Sequence, residues 1–142
     1  SHASVMRRVV EAGIPLFQLG NRAYCEEERA ARTRYNVRYL DADRLVRERI
    51  DAIALPEDFP KQVFFTLDVD GIDPSVLPAT GTPVPGGLGW YQTLGLFESV
   101  ARQRRIIGFD LLEFAPIRGF HAFDFTAACL VYKLMGIVQR HN

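Results

Sequence analysis

Four short apolar runs, each followed by helical material, constrain this chain more than any other feature. They are "IPLFQLG" (14 to 20), "NVRYL" (36 to 40), "QVFFTLD" (62 to 68) and "RIIGFDLLEF" (105 to 114). Each has strand length and strand residues, with turn formers close by. Between and around them, Val5/Met6/Val9/Val10, Val46/Ile50/Ile53 and Tyr91/Leu94/Phe97/Ala101 recur at near-helical spacing. Asp41 stands where the second of these helices needs an N-cap. The segment "FDFTAACLVYKLMGIV" (123 to 138) is apolar almost all round, which predicts a helix covered on more than one side. Strand and helix in alternation imply an α/β fold, three layers deep, with helices on both faces of a mainly parallel sheet. Four strands make a small, poorly protected sheet, and the first helix has nothing upstream to pack on. The chain therefore reads as part of something larger.

Composition narrows the class. The 142 residues suit one domain, with seventeen basic and seventeen acidic side chains and a formal net charge of zero. Such a chain lacks the field that would draw it to nucleic acid or to an anionic membrane, so a small molecule or a protein is the expected partner. Cys25 and Cys129 are far apart with no CxxC spacing, which suits free thiols and a cytoplasmic location. The start "SHASVMRRVV" has no apolar core of a signal peptide, and no apolar stretch is expected to reach the roughly 20 residues that span a bilayer.

The stretch "FTLDVDGIDPSVLPATGTPVPGG" (65 to 87) sets Asp68, Asp70 and Asp73 at the end of a strand and follows them with a long loop. Ligands gather at the carboxyl ends of strands in open α/β sheets. Asp70, two residues after Asp68, shares its face if the chain stays extended. Carboxylates so close raise one another's pKa unless a cation or donors compensate, and oxygen-rich sites of this kind suit Mg²⁺ or Mn²⁺. The alternative is that the aspartates cap or shape a turn. The loop "PATGTPVPGG" carries three Pro and three Gly, which make it rigid, and long loops in compact domains are usually functional. Glu113 ends the next strand at the same rim, where a second acidic group would hold a cationic substrate. The competing reading is a surface Glu before a turn.

These residues resemble the ureohydrolase family of arginases and agmatinases. "TLDVDGIDPSVLPATGTPVPGGL" is similar to its second metal-binding signature, and "GFDLLEFAP" to its later substrate-binding strand. The resemblance implies the carboxyl-terminal half of the ureohydrolase fold. It also implies two Mn²⁺ per complete site, with Asp68 and Asp70 among the ligands, Glu113 accepting the substrate's guanidinium and Thr82 assisting in substrate binding. Asp73 becomes a turn-shaping residue. "SHASVMRR" resembles the segment that carries a proton-transferring histidine, which makes His2 the catalytic candidate, His121 the second choice and His141 an exposed terminal residue. The Gly-Gly-Asp-His and Asp-Ala-His-x-Asp signatures, which supply the remaining metal ligands, are not in this sequence.

The activity so implied is manganese-dependent hydrolysis of an agmatine- or arginine-type guanidine to urea and an amine, in a trimer or hexamer completed by the amino-terminal half of the fold. The isolated 142-residue chain is expected to be inactive. "NRAYCEEERAAR" (21 to 32) resembles a loop that distinguishes substrates. In it, Glu26, Glu27 and Glu28 either face a substrate amine or open a helix at its positive end. Two alternatives stand beside this one: a non-catalytic fragment or assembly module, and a haloacid-dehalogenase-type phosphatase, whose first motif "FFTLDVDGID" also resembles.

Overall fold

The computed structural model describes residues 5–142. In chain order they form α1 (Val5–Glu11), β1 (Phe17–Leu19), α2 (Glu26–Arg34), β2 (Arg38–Leu40), α3 (Ala42–Arg47), β3 (Gln62–Asp68), a 3₁₀ turn (Val69–Gly71), α4 (Trp90–Ala101), β4 (Arg105–Leu112) and α5 (His121–His141). Both strand pairings are parallel, as the alternation requires. The strands do not join into the one sheet expected, however. They form two separate pairs, β1 with β2 and β3 with β4, because β1 and β2 have only three residues each and no described strand lies between the pairs.

The β3–β4 pair organises the core. Val63, Phe65 and Leu67 of β3 turn inward while Phe64 and Thr66 turn outward, the period of a half-buried strand. Phe97 of α4 stands edge-on between Phe65 and Phe109, at centroid distances of 4.7 and 5.7 Å, a geometry that adds to simple burial. On α5, Ala127, Leu130, Leu134 and Ile137 form one buried stripe packed on α4 and β4. Phe125, Tyr132 and Met135 on its other sides are exposed, so within this chain the helix is covered on one side rather than on several. By length and composition α5 is apolar enough to cross a bilayer, contrary to the expectation from sequence. Its stripe in the core makes it a packed helix of the α/β layer. The outer face of the β3–β4 pair has no helix on it among the described residues: Phe64 and Ile107 are 59% and 61% exposed there.

Polar side chains hold the connections. Ser99 Oγ accepts the Ile53 N–H, and Gln103 both accepts from Leu55 N–H and donates to the Ile53 carbonyl, so α4 pairs the backbone of the linker that leads into β3. Asp41 occupies the N-cap position of α3, as expected, but its side chain does not cap the helix. Its carboxylate is drawn instead to the buried Arg32, at 2.9 Å. The Arg32 guanidinium lies between the rings of Tyr24 and Tyr39, 4.6 and 4.2 Å from their centroids. A charge-assisted pair stacked in this way outcompetes a cap.

Candidate metal centre

Asp68 ends β3, and the chain then turns at once into the Val69–Gly71 3₁₀ turn. The extended backbone assumed for Asp70 therefore does not persist. The turn is closed by Asp68 itself, whose Oδ1 accepts the Asp70 N–H at 3.2 Å. In the parallel register Asp68 pairs with Leu112, so Glu113 follows at the same rim. Glu113 has φ 57°, a left-handed conformation that costs a non-glycine residue about 1–3 kcal/mol and is typical of sites where neighbouring structure dictates the backbone. The loop returns to this point: Thr80 bridges to Phe114, and Ala115 N–H donates to the Ala79 carbonyl at 2.8 Å. Thr82, one turn further on, donates its hydroxyl to Asp70 Oδ2 at 2.8 Å.

Asp73 is held differently. Its Oδ1 accepts from both the amide and the hydroxyl of Ser75, at 2.9 and 2.5 Å, and its Oδ2 accepts the amides of Gly86 and Gly87, at 2.9 and 3.1 Å. These donors, Ser75's first, hold its carboxyl at a pKa of about 2. Burial pushes Asp68 the other way, to about 6, and the charges of Asp70 and Glu113 add to the rise against the opposing pull of the Asp70 amide. Asp68, Asp70, Thr82 and Glu113 thus share one rim, with Asp68 short of compensating positive charge.

Hard carboxylate oxygens under mutual repulsion are the donor chemistry that a divalent cation relieves. Among the described residues, no three His, Cys, Asp or Glu side chains are gathered closely enough to hold an ion by themselves. The aspartate pair offers hard oxygen donors that fit a divalent cation, but among the described residues it does not make a complete ligand set.

The histidines divide by position. His2 lies outside the described residues. His121 opens α5 just after β4, is 90% exposed, and sits with Nδ1 3.2 Å from Asp124 Oδ2. His141 is not solvent-exposed as expected. It is mostly buried and its Nε2 lies 3.0 Å from Glu98 Oε1, while the adjacent Asn142 bonds the backbone of Ile106 at the start of β4, the opposite end from the acidic rim. Of the glutamate triplet that opens α2, Glu28 closes a capping box on the Cys25 N–H at 2.9 Å. Both cysteines are free. Sequence reasoning missed Arg22, whose guanidinium reaches the backbone of Asp70, Val84 and Pro85. The signal was present, since Arg22 follows β1 at a strand's carboxyl end, the rim where Asp68 lies.

Comparison with known proteins locates the chain. Residues 1–136 match the model of the arginase family. The chain is 41% identical over 142 residues to N(1)-aminopropylagmatine ureohydrolase of Synechocystis sp., a match covering 96% of this chain and 45% of that protein. It is 39% identical over 137 residues to the Thermus thermophilus protein of the same name, covering 96% and 46%. In structure it superposes on the agmatine ureohydrolase of Thermoplasma volcanium with a TM-score of 0.77 and 26% identity, covering 97% of this chain and 47% of that one. The chain spans about half the length of the curated relatives it matches.

Proposed function

The chain belongs to the arginase family, and on that premise we propose that it supplies the carboxyl-terminal half of a ureohydrolase site that hydrolyses an agmatine-type guanidine to urea and an amine. Family membership leaves the phosphatase alternative without support. The observation that carries the proposal is the convergence of Asp68, Asp70, Thr82 and Glu113 on one rim, with Asp68 raised to a pKa of about 6 by burial and by its acidic neighbours. Such a rim is poised for a cation, and two kinds are available to it.

Asp68 and Asp70 would hold the metal, Mn²⁺ in our reading, with ligands from the other half of the fold completing the set. A metal pair held there would supply the acidity that makes water nucleophilic near neutral pH. Glu113 would accept the guanidinium by paired charge-assisted hydrogen bonds and orient it at the rim. Its left-handed backbone, held on one side by the pairing of Leu112 with β3 and on the other by the loop at Phe114 and Ala115, would fix the direction of that carboxylate. Thr82 keeps Asp70 in place through its hydroxyl and would assist in binding the substrate. His2 remains our candidate for protonating the departing amine, because imidazole titrates in the required range.

An agmatine-type chain is favoured over arginine because relatives near 40% identity carry the name N(1)-aminopropylagmatine ureohydrolase. Glu26 pairs with Arg29 at 3.9 Å and Glu27 lies against the thiol of the N-cap Cys25, which lowers its pKa, so an additional substrate amine would have to compete with these contacts. The free thiols fit a cytoplasmic setting, and a homo-oligomer fits the exposed α5 face and the outer β3–β4 face. A non-catalytic fragment is the competing reading, favoured by the incomplete ligand set.

The test uses the full-length protein in which this chain occurs. Urea release from N(1)-aminopropylagmatine, agmatine and arginine is measured with and without Mn²⁺. Glu113→Gln should lower kcat/KM on the preferred substrate by about ten- to a hundredfold, the loss expected for a charge-assisted pair made neutral, with manganese content unchanged. Wild-type kcat/KM in that variant would make Glu113 a surface residue. Absence of urea release from all three substrates in the metal-loaded protein would favour the non-catalytic reading.

A further inference from the structure

Arg22 belongs to a different part of the chain from the acidic rim, yet its guanidinium is bonded entirely to that rim's backbone. Nη2 donates to the Asp70 carbonyl at 2.6 Å and also to that of Val84, while Nε donates to the carbonyls of Val84 and Pro85 at 3.0 and 3.2 Å. All four bonds go to carbonyl oxygens and none to a carboxylate. The base of the side chain is anchored as well. Gly20 precedes it at φ 79°, where an added Cβ would come within 3.2 Å of Leu88 Cδ1, and the Asn21 carbonyl accepts the Ala42 N–H at 3.0 Å. The end of β1 is thus seated against Leu88 on one side and the start of α3 on the other.

The same loop is gripped from its other polar side. Gly86 and Gly87 give their amides to the Asp73 carboxylate. Residues 84–87 are therefore held by their carbonyls on a cation and by their amides on an anion, and both side chains come from outside the segment. Thr82 lies just upstream of this doubly held stretch, with its hydroxyl on Asp70 Oδ2. If the loop lifts, the side-chain donor that Asp70's carboxylate has among the described residues lifts with it.

We propose that Arg22 is a positioning residue of the acidic site. Its planar fork ties the Asp70 turn and the 82–87 loop into one unit, which keeps Thr82 on Asp70 and so sets the direction in which Asp70 presents its free oxygen. The proposal rests on the reading of Asp70 as a metal ligand. Lysine is a poor substitute, since an ammonium on a flexible stem cannot match three carbonyls from two segments as a guanidinium does. The segment after β1, which resembles a substrate-distinguishing loop, is by this bond mechanically joined to the metal-binding turn.

Two measurements on the full-length protein test it, using Arg22→Gln and Arg22→Lys. The first is hydrogen exchange at the amides of Gly86, Gly87 and Leu88, with Leu96 and Phe97 in α4 as internal controls. Arg22→Gln should speed exchange at the three loop amides about tenfold or more, as expected when hydrogen bonds to a charged group are lost, and leave α4 unchanged. The second is Mn²⁺ titration, in which affinity should fall about tenfold, the usual scale for a residue that orients a ligand without touching the metal. Arg22→Lys should fall between wild type and Arg22→Gln in both. Unchanged loop exchange in Arg22→Gln overturns the clamp, and faster exchange with unchanged Mn²⁺ affinity overturns the positioning role. If the wild-type protein binds no Mn²⁺, the metal reading fails and the positioning role fails with it, while faster exchange in the variant still identifies the clamp.

Discussion

Asp68 and Asp73 stand on the same stretch of chain and carry the same carboxylate, yet the fold treats them in opposite ways. Asp73 is ringed by donors, two from Ser75 and one each from Gly86 and Gly87, and is held ionised down to a pKa of about 2. Asp68 is partly buried beside Asp70 and Glu113 and is pushed up to about 6. A carboxylate whose lone pairs are occupied by its own backbone is structural. One left with repulsion and a single amide donor is ionised at a cost that an added cation would relieve, and this difference separates the turn from the site. Spacing alone does not make that distinction, since all three aspartates of "DVDGID" follow one strand.

The largest effect should come from Asp68→Asn, and its signs should split. In the full-length protein the variant should lose bound manganese and reduce activity by roughly a hundredfold or more, because an amide is a weak ligand for a hard cation. The metal-free protein should be no less stable than wild type, since the substitution removes a charge that its surroundings disfavour. Elemental analysis and thermal unfolding of the same metal-stripped preparation check both signs. A clear fall in apo stability would place Asp68 with Asp73 as a structural residue.

Next in size is Gly87→Ala, which attacks the turn without touching a carboxylate. A Cβ there would meet the backbone of Asp73 and Ile72 at 2.6 Å, a distance that backbone atoms cannot yield cheaply. The expected cost is on the order of 2–4 kcal/mol of stability, read from chemical denaturation. If the variant unfolds at the wild-type midpoint, the loop is not packed on the Ile72–Asp73 backbone and the donor ring around Asp73 loses its support.

These residues also show what was legible beforehand. The β3 span and the parallel pairing followed from apolar runs, because period and length are local properties. The acidic rim followed from where those runs end. What stayed hidden depended on contacts distant in sequence: Arg22 on carbonyls of the 82–87 loop, Asp41 diverted from its cap by Arg32, and His141 drawn in by Glu98. The separation of the strands into two pairs and the open side of α5 were hidden for another reason. Both depend on surfaces that these residues do not themselves cover, and composition cannot say which neighbour will cover them.

The smallest effect, and the sharpest on the comparison, is the acid behaviour of Asp73→Asn. The folded pKa of Asp73, about 2, lies below its ordinary value of 3.8, so its contribution to stability is present above about pH 4 and is lost as pH falls towards 2. Asparagine keeps an acceptor for Ser75 but turns an NH₂ group towards the amides of Gly86 and Gly87, where a donor faces donors. Stability near pH 7 should drop by about 1–2 kcal/mol, at the lower end for charge-assisted bonds because the group is partly exposed to solvent. The gap between variant and wild type should then narrow below pH 4, as the carboxyl of the unfolded wild-type chain takes up a proton while the folded one stays ionised and keeps its bonds. Denaturant midpoints for both proteins at pH 7, 4 and 3 would show this. A gap that stays constant across that range would mean that Asp73's donors do not act through its charge, and the contrast with Asp68 would then reduce to burial alone.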